Sequence, residues 1–289
     1  MASAYRGRLA PSPTGYLHAG HARTFWTAQQ RADSAGGTLL LRIEDLDPDR
    51  SRREFTEAMM EDLRWFGFRW QEGPDCGGPF SPYVQSRRGE FYRAGFETLR
   101  RAGLVYPCYC SRLDVQRALQ APHAGQEEPV YPGTCRPPAR GPGVRPPSWR
   151  FLVPEGEVIE FEDRCQGFQR FVAGRDFGDC VVWRHEGVPS YQLAVVLDDA
   201  TMRVSEVVRG ADLLLSTARQ LLLYRALGLT APAFYHCPLV RDESGARLAK
   251  RHQALSLRAL RQQGLTPEAI RGDWPPNPDC LPDSSNRCS

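Results

Sequence analysis

The sequence predicts an α/β fold with a parallel sheet, and three features of its first fifty residues support this. An apolar pair at residues 9–10 is followed by a turn rich in proline and glycine. A helical pattern of apolar residues begins near Ala19. A second apolar run, at residues 38–43, follows two glycines and indicates a buried strand. Strands that alternate with helices favour a doubly wound parallel sheet.

Length and composition are those of a globular protein. The 289 residues can bury one core, or one core and a small second domain. A net charge of +3 does not require a nucleic-acid partner, but it allows a local basic patch. The first residues lack the apolar segment of a secretion signal, and no run approaches the roughly 18 apolar residues of a membrane span. We therefore expect a cytoplasmic protein with no membrane partner. We also expect a monomer.

The turn after the first strand carries groups suited to binding phosphate. His18 and His21 stand one helical turn apart at the predicted start of the first helix. A helix N-terminus presents N–H groups to an anion, and imidazoles donate hydrogen bonds to phosphate oxygens. Gly20 lets a flat ring approach the backbone. Two histidines at this spacing are a weak signal alone, so a proline-rich loop with unrelated histidines is the alternative.

The complete string RLAPSPTGYLHAGH, at residues 8–21, resembles the "HIGH" motif of class I aminoacyl-tRNA synthetases. Its first half resembles the RFAPSPTG opening of glutamyl-tRNA synthetases in particular. The resemblance implies a Rossmann-type catalytic domain in which His18, Gly20 and His21 bind ATP and the two histidines assist catalysis. It also implies that three residues of the opening contact a glutamate substrate: Arg8, Ala10 and Ser12.

An acidic stretch follows the second predicted strand. Carboxylates at the carboxyl end of a parallel strand lie where open α/β sheets bind ligands. A polar turn with a helix N-cap explains Asp47 and Asp49 equally well. The string RIED resembles the same family, and the resemblance implies that Glu44 receives the amino group of glutamate.

The cysteines suggest a metal site. Nine cysteines in a chain without an export signal favour metal binding or free thiols over a disulfide framework. Cys108, Cys110 and Cys135 suit a tetrahedral zinc site with a structural role. Chemistry alone favours His123 as fourth ligand, because a tyrosine must lose a proton with a reference pKa of about 10. The alternative without metal is three free thiols.

The string CxC…YxGxCR resembles the zinc site of glutamyl-queuosine tRNA(Asp) synthetases, which are truncated relatives of glutamyl-tRNA synthetases. This resemblance implies that Tyr131 is the fourth ligand, and His123 stays open as the alternative.

Residues 189–199 form a continuous apolar run bounded by a turn and by acidic residues, which predicts a central parallel strand. With the later string VVRGAD, this run resembles the block PxYxxAxVVDD…VIRGxD of the same family. The resemblance implies that Tyr191 and Arg209 line the glutamate pocket.

Arg8 and Arg209 form a natural pair for the two carboxylates of glutamate, because a guanidinium binds a carboxylate through two parallel hydrogen bonds. The alternative for Arg209 is a structural salt bridge to Asp212 or Glu206.

The charged stretch RDESGARLAKR, at residues 241–251, resembles the "KMSKS" loop of the class I enzymes. The resemblance implies that Arg247 and Lys250 bind ATP, and that Lys250 also acts in catalysis by stabilising the triphosphate. Ala249 replaces the serine of the motif and removes a hydroxyl contact, which leaves reduced activity open.

These motifs predict a split Rossmann-type catalytic domain (residues 1–104 and 170–255). An inserted zinc-binding α+β subdomain (105–169) is expected to dock the RNA acceptor, and a short tail (256–289) follows. We expect no anticodon-binding domain, an architecture that the glutamyl-queuosine enzymes share. The implied activity is ATP-dependent activation of L-glutamate and its transfer to queuosine at the wobble position of tRNA(Asp). One structural Zn²⁺ is implied, and Mg²⁺ is expected to accompany ATP.

Three other functions stay open at this point. The nearest is a minimal glutamyl-tRNA synthetase that charges the 3′ end of tRNA(Glu). A second is adenylate transfer to a small molecule without RNA. The third is a non-catalytic paralogue that binds tRNA or a protein, which the altered RLAKR string favours.

Overall fold

The structure, a computed structural model, describes residues 4–111, 114, 130–137, 146–239, 256–272 and 274. Its strands are β1 (Arg6–Leu9), β2 (Thr38–Leu41), β3 (Val105–Cys108), β4 (Ser148–Phe151), β5 (Val158–Asp163), β6 (Gly167–Val172), β7 (Val181–Trp183), β8 (Glu206–Gly210) and β9 (Ala233–Cys237). Its α-helices are α1 (Ala19–Ser34), α2 (Arg53–Phe66), α3 (Gly89–Arg101), α4 (Tyr191–Thr201), α5 (Leu214–Ala226), α6 (Leu257–Gln262) and α7 (Pro267–Gly272).

Two pairs of parallel strands form the centre of the fold. β1 pairs with β2 and β8 pairs with β9, both in parallel, and the second register sets Arg209 opposite His236. The pairs lie side by side, because the N–H of Ser205, just before β8, donates to the carbonyl oxygen of Arg6 at 2.9 Å. The carboxyl ends of β1, β2 and β8 therefore lie near one another, which is where parallel α/β sheets bind ligands.

The remaining strands extend this centre into mixed sheets. β5 and β6 form an antiparallel hairpin, and β5 pairs in parallel with β9, so that one sheet has the order β6-β5-β9-β8. β3, β4 and β7 form a separate antiparallel sheet. The segment predicted as an insertion thus contributes strands to two sheets.

The first half of the predicted element order is confirmed. Strands β1 and β2 and helix α1 occupy the predicted places, and helices α2 and α3 lie where amphipathic patterns at residues 55–66 and 91–99 predict them. Helix α2 ends where Gly67 adopts a φ of 98°, a left-handed conformation that glycine adopts without a Cβ clash. A sharp stop of this kind can be anticipated from a glycine that follows an amphipathic pattern.

The predicted central strand at residues 189–199 is wrong, because this segment forms helix α4. Leu193, Ala194, Val195 and Val196 follow one another around the helix at steps of about 100°, and all four are buried. A helix buried on all sides needs apolar residues at every position, which is also the pattern of a strand buried on both faces. The central strand of this region is β8 instead.

Two apolar cores support the site. One packs α3, α4 and α5 together, with Tyr92, Leu193 and Leu223 at its centre. The other packs β1 and β2 against α1, α2 and α6, and includes Phe66 and Leu257. No helix in the described ranges is both long and apolar enough to cross a bilayer.

Candidate active site

Arg8 on β1 is a buried cation with unused hydrogen-bonding capacity. The residue is 4% exposed, and its NH1 donates to the carbonyl oxygen of Val208 on β8 at 2.8 Å. Within the described residues, its Nε has no hydrogen-bond partner. The Oδ1 atom of Asp199 lies 3.7 Å from it, beyond hydrogen-bonding distance. Because an unpaired buried donor costs about 1–3 kcal/mol, this geometry favours an anionic ligand at Arg8.

Arg209 on β8 is held on three sides by uncharged groups. Its Nε lies 3.1 Å from His236 Nε2, and its NH1 donates to the Tyr191 hydroxyl at 3.2 Å. Its NH2 donates to Thr217 Oγ1 at 2.7 Å and to Gln220 Oε1 at 2.8 Å. These bonds use about four of the five N–H groups of a guanidinium. The fifth, on NH1, has no partner among these groups and is suited to a ligand oxygen beside Tyr191.

The alternative of a salt bridge from Arg209 to Glu206 is wrong. Glu206 instead accepts from Arg31 Nε at 2.7 Å and also pairs with Arg164. Glu206 therefore does not neutralise the charge of Arg209.

Glu44 follows β2 and is tied to Arg8 through two other side chains. Arg42 donates from NH2 to Glu44 Oε1 at 2.8 Å and from NH1 to Asp199 Oδ1 at 2.7 Å. Asp199 in turn lies beside Arg8. Burial raises the pKa of Glu44, and the charge of Arg42 opposes this rise. Since Arg42 bonds only Oε1, the Oε2 atom of Glu44 can accept from the ammonium group of a ligand.

The other predicted substrate contacts lie around this group. Tyr191, at the start of α4, is 37% exposed and bonds Arg209 through its hydroxyl. Ala10 is half-buried and Ser12 is exposed, and both follow β1 at the carboxyl edge of the strand. The structure therefore brings Tyr191 and Arg209 into direct contact. It holds Arg8 on neighbouring β1 against the carbonyl oxygen of Val208, with Glu44 connected to Arg8 through charged neighbours.

The two histidines lie at the N-terminus of α1. His18 immediately precedes the helix and His21 is in its first turn, with ring centroids 5.9 Å apart. The His18 side chain makes no capping hydrogen bond, so the first-turn N–H groups can bind an anion. A Cβ on Gly20 would meet no described atom within 4 Å, so the protein's own packing does not require glycine there. This open space suits the approach of a ligand.

Arg247, Ala249 and Lys250 lie outside the described residues. The next described residue after them, Ser256, forms a β-bridge with His18. The N–H of Leu257 donates to the carbonyl oxygen of Leu17 at 2.7 Å. The chain therefore returns to the histidine motif directly after the segment that contains Lys250.

Three cysteines and one tyrosine form a second cluster, at the end of β3. The sulfur atoms of Cys108, Cys110 and Cys135 all lie within 4.8 Å of one another. Cys110 Sγ is 3.5 Å from Cys135 Sγ, and the Tyr131 hydroxyl is 3.4 Å from Cys108 Sγ and 3.6 Å from Cys110 Sγ. Tetrahedral zinc bonds of about 2.0–2.3 Å give ligand–ligand edges of roughly 3.5–3.8 Å. The four donor atoms therefore fit a tetrahedral metal, and His123 lies outside the described residues.

The surroundings of Tyr131 suit an anionic oxygen once a cation is bound. Burial and the neighbouring thiols raise the pKa of Tyr131, so the phenolate requires a positive charge close by. The N–H of Cys135 donates to the Tyr131 oxygen at 2.9 Å. The Arg150 guanidinium lies 3.7 Å above the tyrosine ring and donates to Cys108 Sγ at 3.3 Å. The sequence-based prediction did not include Arg150.

A cavity of about 770 Å³ is lined both by residues of this cluster and by Tyr191, which bonds Arg209. Its lining includes Cys108, Tyr131 and Tyr191, together with the cationic side chains of Arg150 and Arg184. The volume is in the usual range for a small-molecule site. The cavity can hold a polar or anionic group next to the pocket of Arg209.

Comparison with known proteins identifies the family. The family model described as "tRNA synthetases class I (E and Q), catalytic domain" matches residues 4–272. The chain belongs to this family. Its mixed α/β sheets are therefore the class I synthetase catalytic fold.

Two relatives are both named Glutamyl-Q tRNA(Asp) synthetase. The protein of Symbiobacterium thermophilum is 51% identical over 273 residues, and that of Nitratidesulfovibrio vulgaris is 50% identical over the same length. Each alignment covers 92% of this chain and 84% of the relative. A crystal structure of a glutamate tRNA ligase from Elizabethkingia meningosepticum, in complex with its amino acid, is 30% identical with a TM-score of 0.76. That match covers 91% of this chain and 54% of the ligase.

Several residues that shape this class I site were absent from the sequence-based prediction: Arg42, Asp199, Thr217, Gln220 and His236. The sequence carries a signal for one of them, Arg42: it lies within the apolar run TLLLRI, and an arginine buried in a strand needs a charged or polar partner. The others come together only through the packing of α4, α5 and β9, so no local pattern marks them.

Proposed function

We propose that this chain activates L-glutamate with ATP and transfers it to the queuosine base at the wobble position of tRNA(Asp). The observation that carries the proposal is the 50–51% identity to two proteins of that name over 84% of their length. The pairing of two buried arginines at one edge of the sheet supports the choice of amino acid.

Charge and geometry fit glutamate. The amino acid brings two carboxylates and one ammonium, and the site offers two guanidinium groups and one carboxylate. Arg8 Nε, Arg209 NH1 and the Tyr191 hydroxyl are suited to the carboxylates, since each has hydrogen-bonding capacity left over. Glu44 Oε2 is suited to the ammonium group. Ala10 and Ser12 are proposed to line the same pocket.

In the first step, an oxygen of the α-carboxylate of glutamate attacks the α-phosphorus of ATP. The bond from that phosphorus to the bridging β-phosphate oxygen breaks, pyrophosphate leaves, and glutamyl-adenylate remains. His18, His21 and the N-terminus of α1 oppose the charge that builds on the phosphates. Gly20 leaves room for ATP, and Arg247 and Lys250 are proposed to add positive charge. Mg²⁺ is proposed to enter with ATP.

In the second step, a hydroxyl of the queuosine cyclopentenediol attacks the acyl carbon of the adenylate. The acyl–phosphate bond breaks, AMP leaves, and the proton of the hydroxyl passes to the phosphate group of the departing AMP. We assign the acceptor base to the cavity beside Tyr191, because it adjoins the glutamate pocket and carries arginines that suit a polynucleotide.

We assign one structural Zn²⁺ to Cys108, Cys110, Tyr131 and Cys135. When bound, it would link the end of β3 to residues 131–135 and supply the charge that Tyr131 requires as a phenolate.

The proposed domain layout is a catalytic domain of residues 1–104 and 170–255, an RNA-docking insertion of 105–169 and a tail of 256–289. We expect the enzyme to act as a monomer in the cytoplasm, where ATP and tRNA are available.

Glutamate-dependent exchange between ATP and labelled pyrophosphate tests the activation step. We expect exchange with L-glutamate, little with L-glutamine, and loss of exchange in Arg209→Met. The matched control is Arg53→Met, because Arg53 is 92% exposed on α2. Absence of exchange in the unmodified protein, with every amino acid tested, would identify a binding protein rather than an enzyme.

A further inference from the structure

We propose that His236 is a positioning residue, whose Nε2 atom accepts a hydrogen bond from Arg209 Nε and sets the angle at which this arginine meets the substrate carboxylate. The inference rests on the proposed function, because it explains how the glutamate pocket is held in shape. His236 lies on β9 directly opposite Arg209 on β8, and both side chains are buried. The distance from Arg209 Nε to His236 Nε2 is 3.1 Å.

The hydrogen bond from Arg209 determines which ring nitrogen of His236 carries the proton. A guanidinium can only donate, so Nε2 of His236 must present its lone pair. The proton then lies on Nδ1, which donates to Asp163 Oδ2 at 2.5 Å. Burial lowers the pKa of His236, which keeps the ring neutral beside the charged arginine. Asp163, His236 and Arg209 thus form a directed chain of hydrogen bonds.

Asp163 is itself held rigidly at the end of β5. Its Oδ1 accepts from the backbone N–H groups of Cys165 at 3.0 Å, Gln166 at 2.8 Å and His236 at 3.1 Å. Although burial opposes ionisation, these bonds and the His236 side chain lower the pKa of Asp163. The carboxylate therefore fixes the orientation of the imidazole, and the imidazole passes that orientation to Arg209.

The remaining partners of Arg209 show why the Nε bond matters. Thr217 and Gln220 on α5 hold NH2, and Tyr191 contacts NH1. Without the bond to Nε, the guanidinium could rotate about the NH2 contacts and move NH1 away from Tyr191. Among the described residues, His236 is the partner that bonds Nε, the remaining edge of the guanidinium group.

Two substitutions separate positioning from simple packing. In His236→Asn, the amide can replace Nδ1 and donate to Asp163, but no atom reaches Arg209. In His236→Gln, the amide oxygen can replace Nε2 and accept from Arg209. Both remove the ring from the same buried place. Glutamate KM, ATP KM, kcat of pyrophosphate exchange and Tm are measured for each variant and for the unmodified protein.

We expect His236→Asn to raise the KM for glutamate by about tenfold or more, the effect of losing a hydrogen bond to a charged group. The KM for ATP should stay unchanged, and His236→Gln should restore most of the glutamate KM. The inference would be overturned, and the proposed function left intact, by either of two results. One is an equal rise in glutamate KM in both variants, in proportion to their loss in Tm; the other is no change in KM in either variant. Absence of exchange in the unmodified protein would overturn the proposed function, and the inference with it.

Discussion

Replacing Arg42 by methionine should destabilise the fold far more than a single surface change. Arg42 is 0% exposed and bonds both Glu44 and Asp199. Although burial alone would lower its pKa, Asp199 and Glu44 raise it well above its usual value, so the guanidinium stays charged. Its removal leaves two buried carboxylates without their main partner. Breaking a buried ion pair in this way costs about 3–5 kcal/mol, a large part of the roughly 5–15 kcal/mol that stabilises a domain.

Thermal unfolding provides the assay. A loss of 3–5 kcal/mol corresponds to a fall in Tm of roughly 6–20 °C, at about 2–4 °C per kcal/mol for a chain of this size class. The matched control is Arg53→Met, because Arg53 pairs with Glu57 at the same 2.7 Å distance but is 92% exposed. Its Tm should be nearly unchanged. Adding Asp199→Asn to Arg42→Met should recover part of the loss, since it removes one uncompensated charge. Equal Tm changes for the Arg42 and Arg53 variants would refute this reasoning.

Three further predictions concern the glutamate pocket, the metal cluster and the response to pH. Arg8→Lys should raise the KM for glutamate at least tenfold with little change in the KM for ATP, because an ammonium lacks the planar fork of donors of a guanidinium. The control is Arg100→Lys, on the surface of α3. Equal KM values for glutamate in the two variants would contradict the prediction. The unmodified protein should contain one equivalent of zinc by mass spectrometry, and Cys110→Ser clearly less, whereas Cys76→Ser, at an exposed cysteine outside the cluster, should retain it. Because the pKa of His236 lies below 6.5, the unfolded chain gains a proton near pH 6.5 that the folded chain does not. The stability contributed by His236 is therefore complete above pH 6.5 and is lost as the pH falls through the folded pKa. The Tm difference between the unmodified protein and His236→Gln should shrink between pH 7.5 and 5.5. A constant difference would show that His236 does not titrate in this way.

Short-range patterns in the sequence predicted much of the fold. The first strand, the turn and α1 follow from proline, glycine and the apolar spacing around Ala19. Helix α2 could be located because its amphipathic face ends at Gly67. Helix α4 could not be distinguished from a strand, since complete burial removes the periodicity that separates the two. The presence of an element was thus easier to predict than its type wherever the element is wholly buried.

The residues of the candidate site likewise fall into those that a local sequence pattern indicates and those that it does not. Arg8, Glu44 and Arg209 could be predicted as site residues because each lies within a short string that resembles a known family. His236 was not, because its contact with Arg209 depends on the register between β8 and β9. Arg42 could have been suspected from its place in an apolar strand, but its partner Asp199 lies on a helix that was predicted as a strand. Side chains that support a site through tertiary packing leave no local pattern.

The most direct test of the proposed function uses labelled glutamate, ATP and tRNA(Asp) in two forms, one with queuosine and one with unmodified guanosine at the wobble position. We expect label in the queuosine form only, because the proposed acceptor is a hydroxyl of the queuosine ring. Label on neither form, together with transfer to tRNA(Glu), would contradict this and identify a minimal glutamyl-tRNA synthetase. No label on any tRNA and no pyrophosphate exchange would mean that the site has lost its activity.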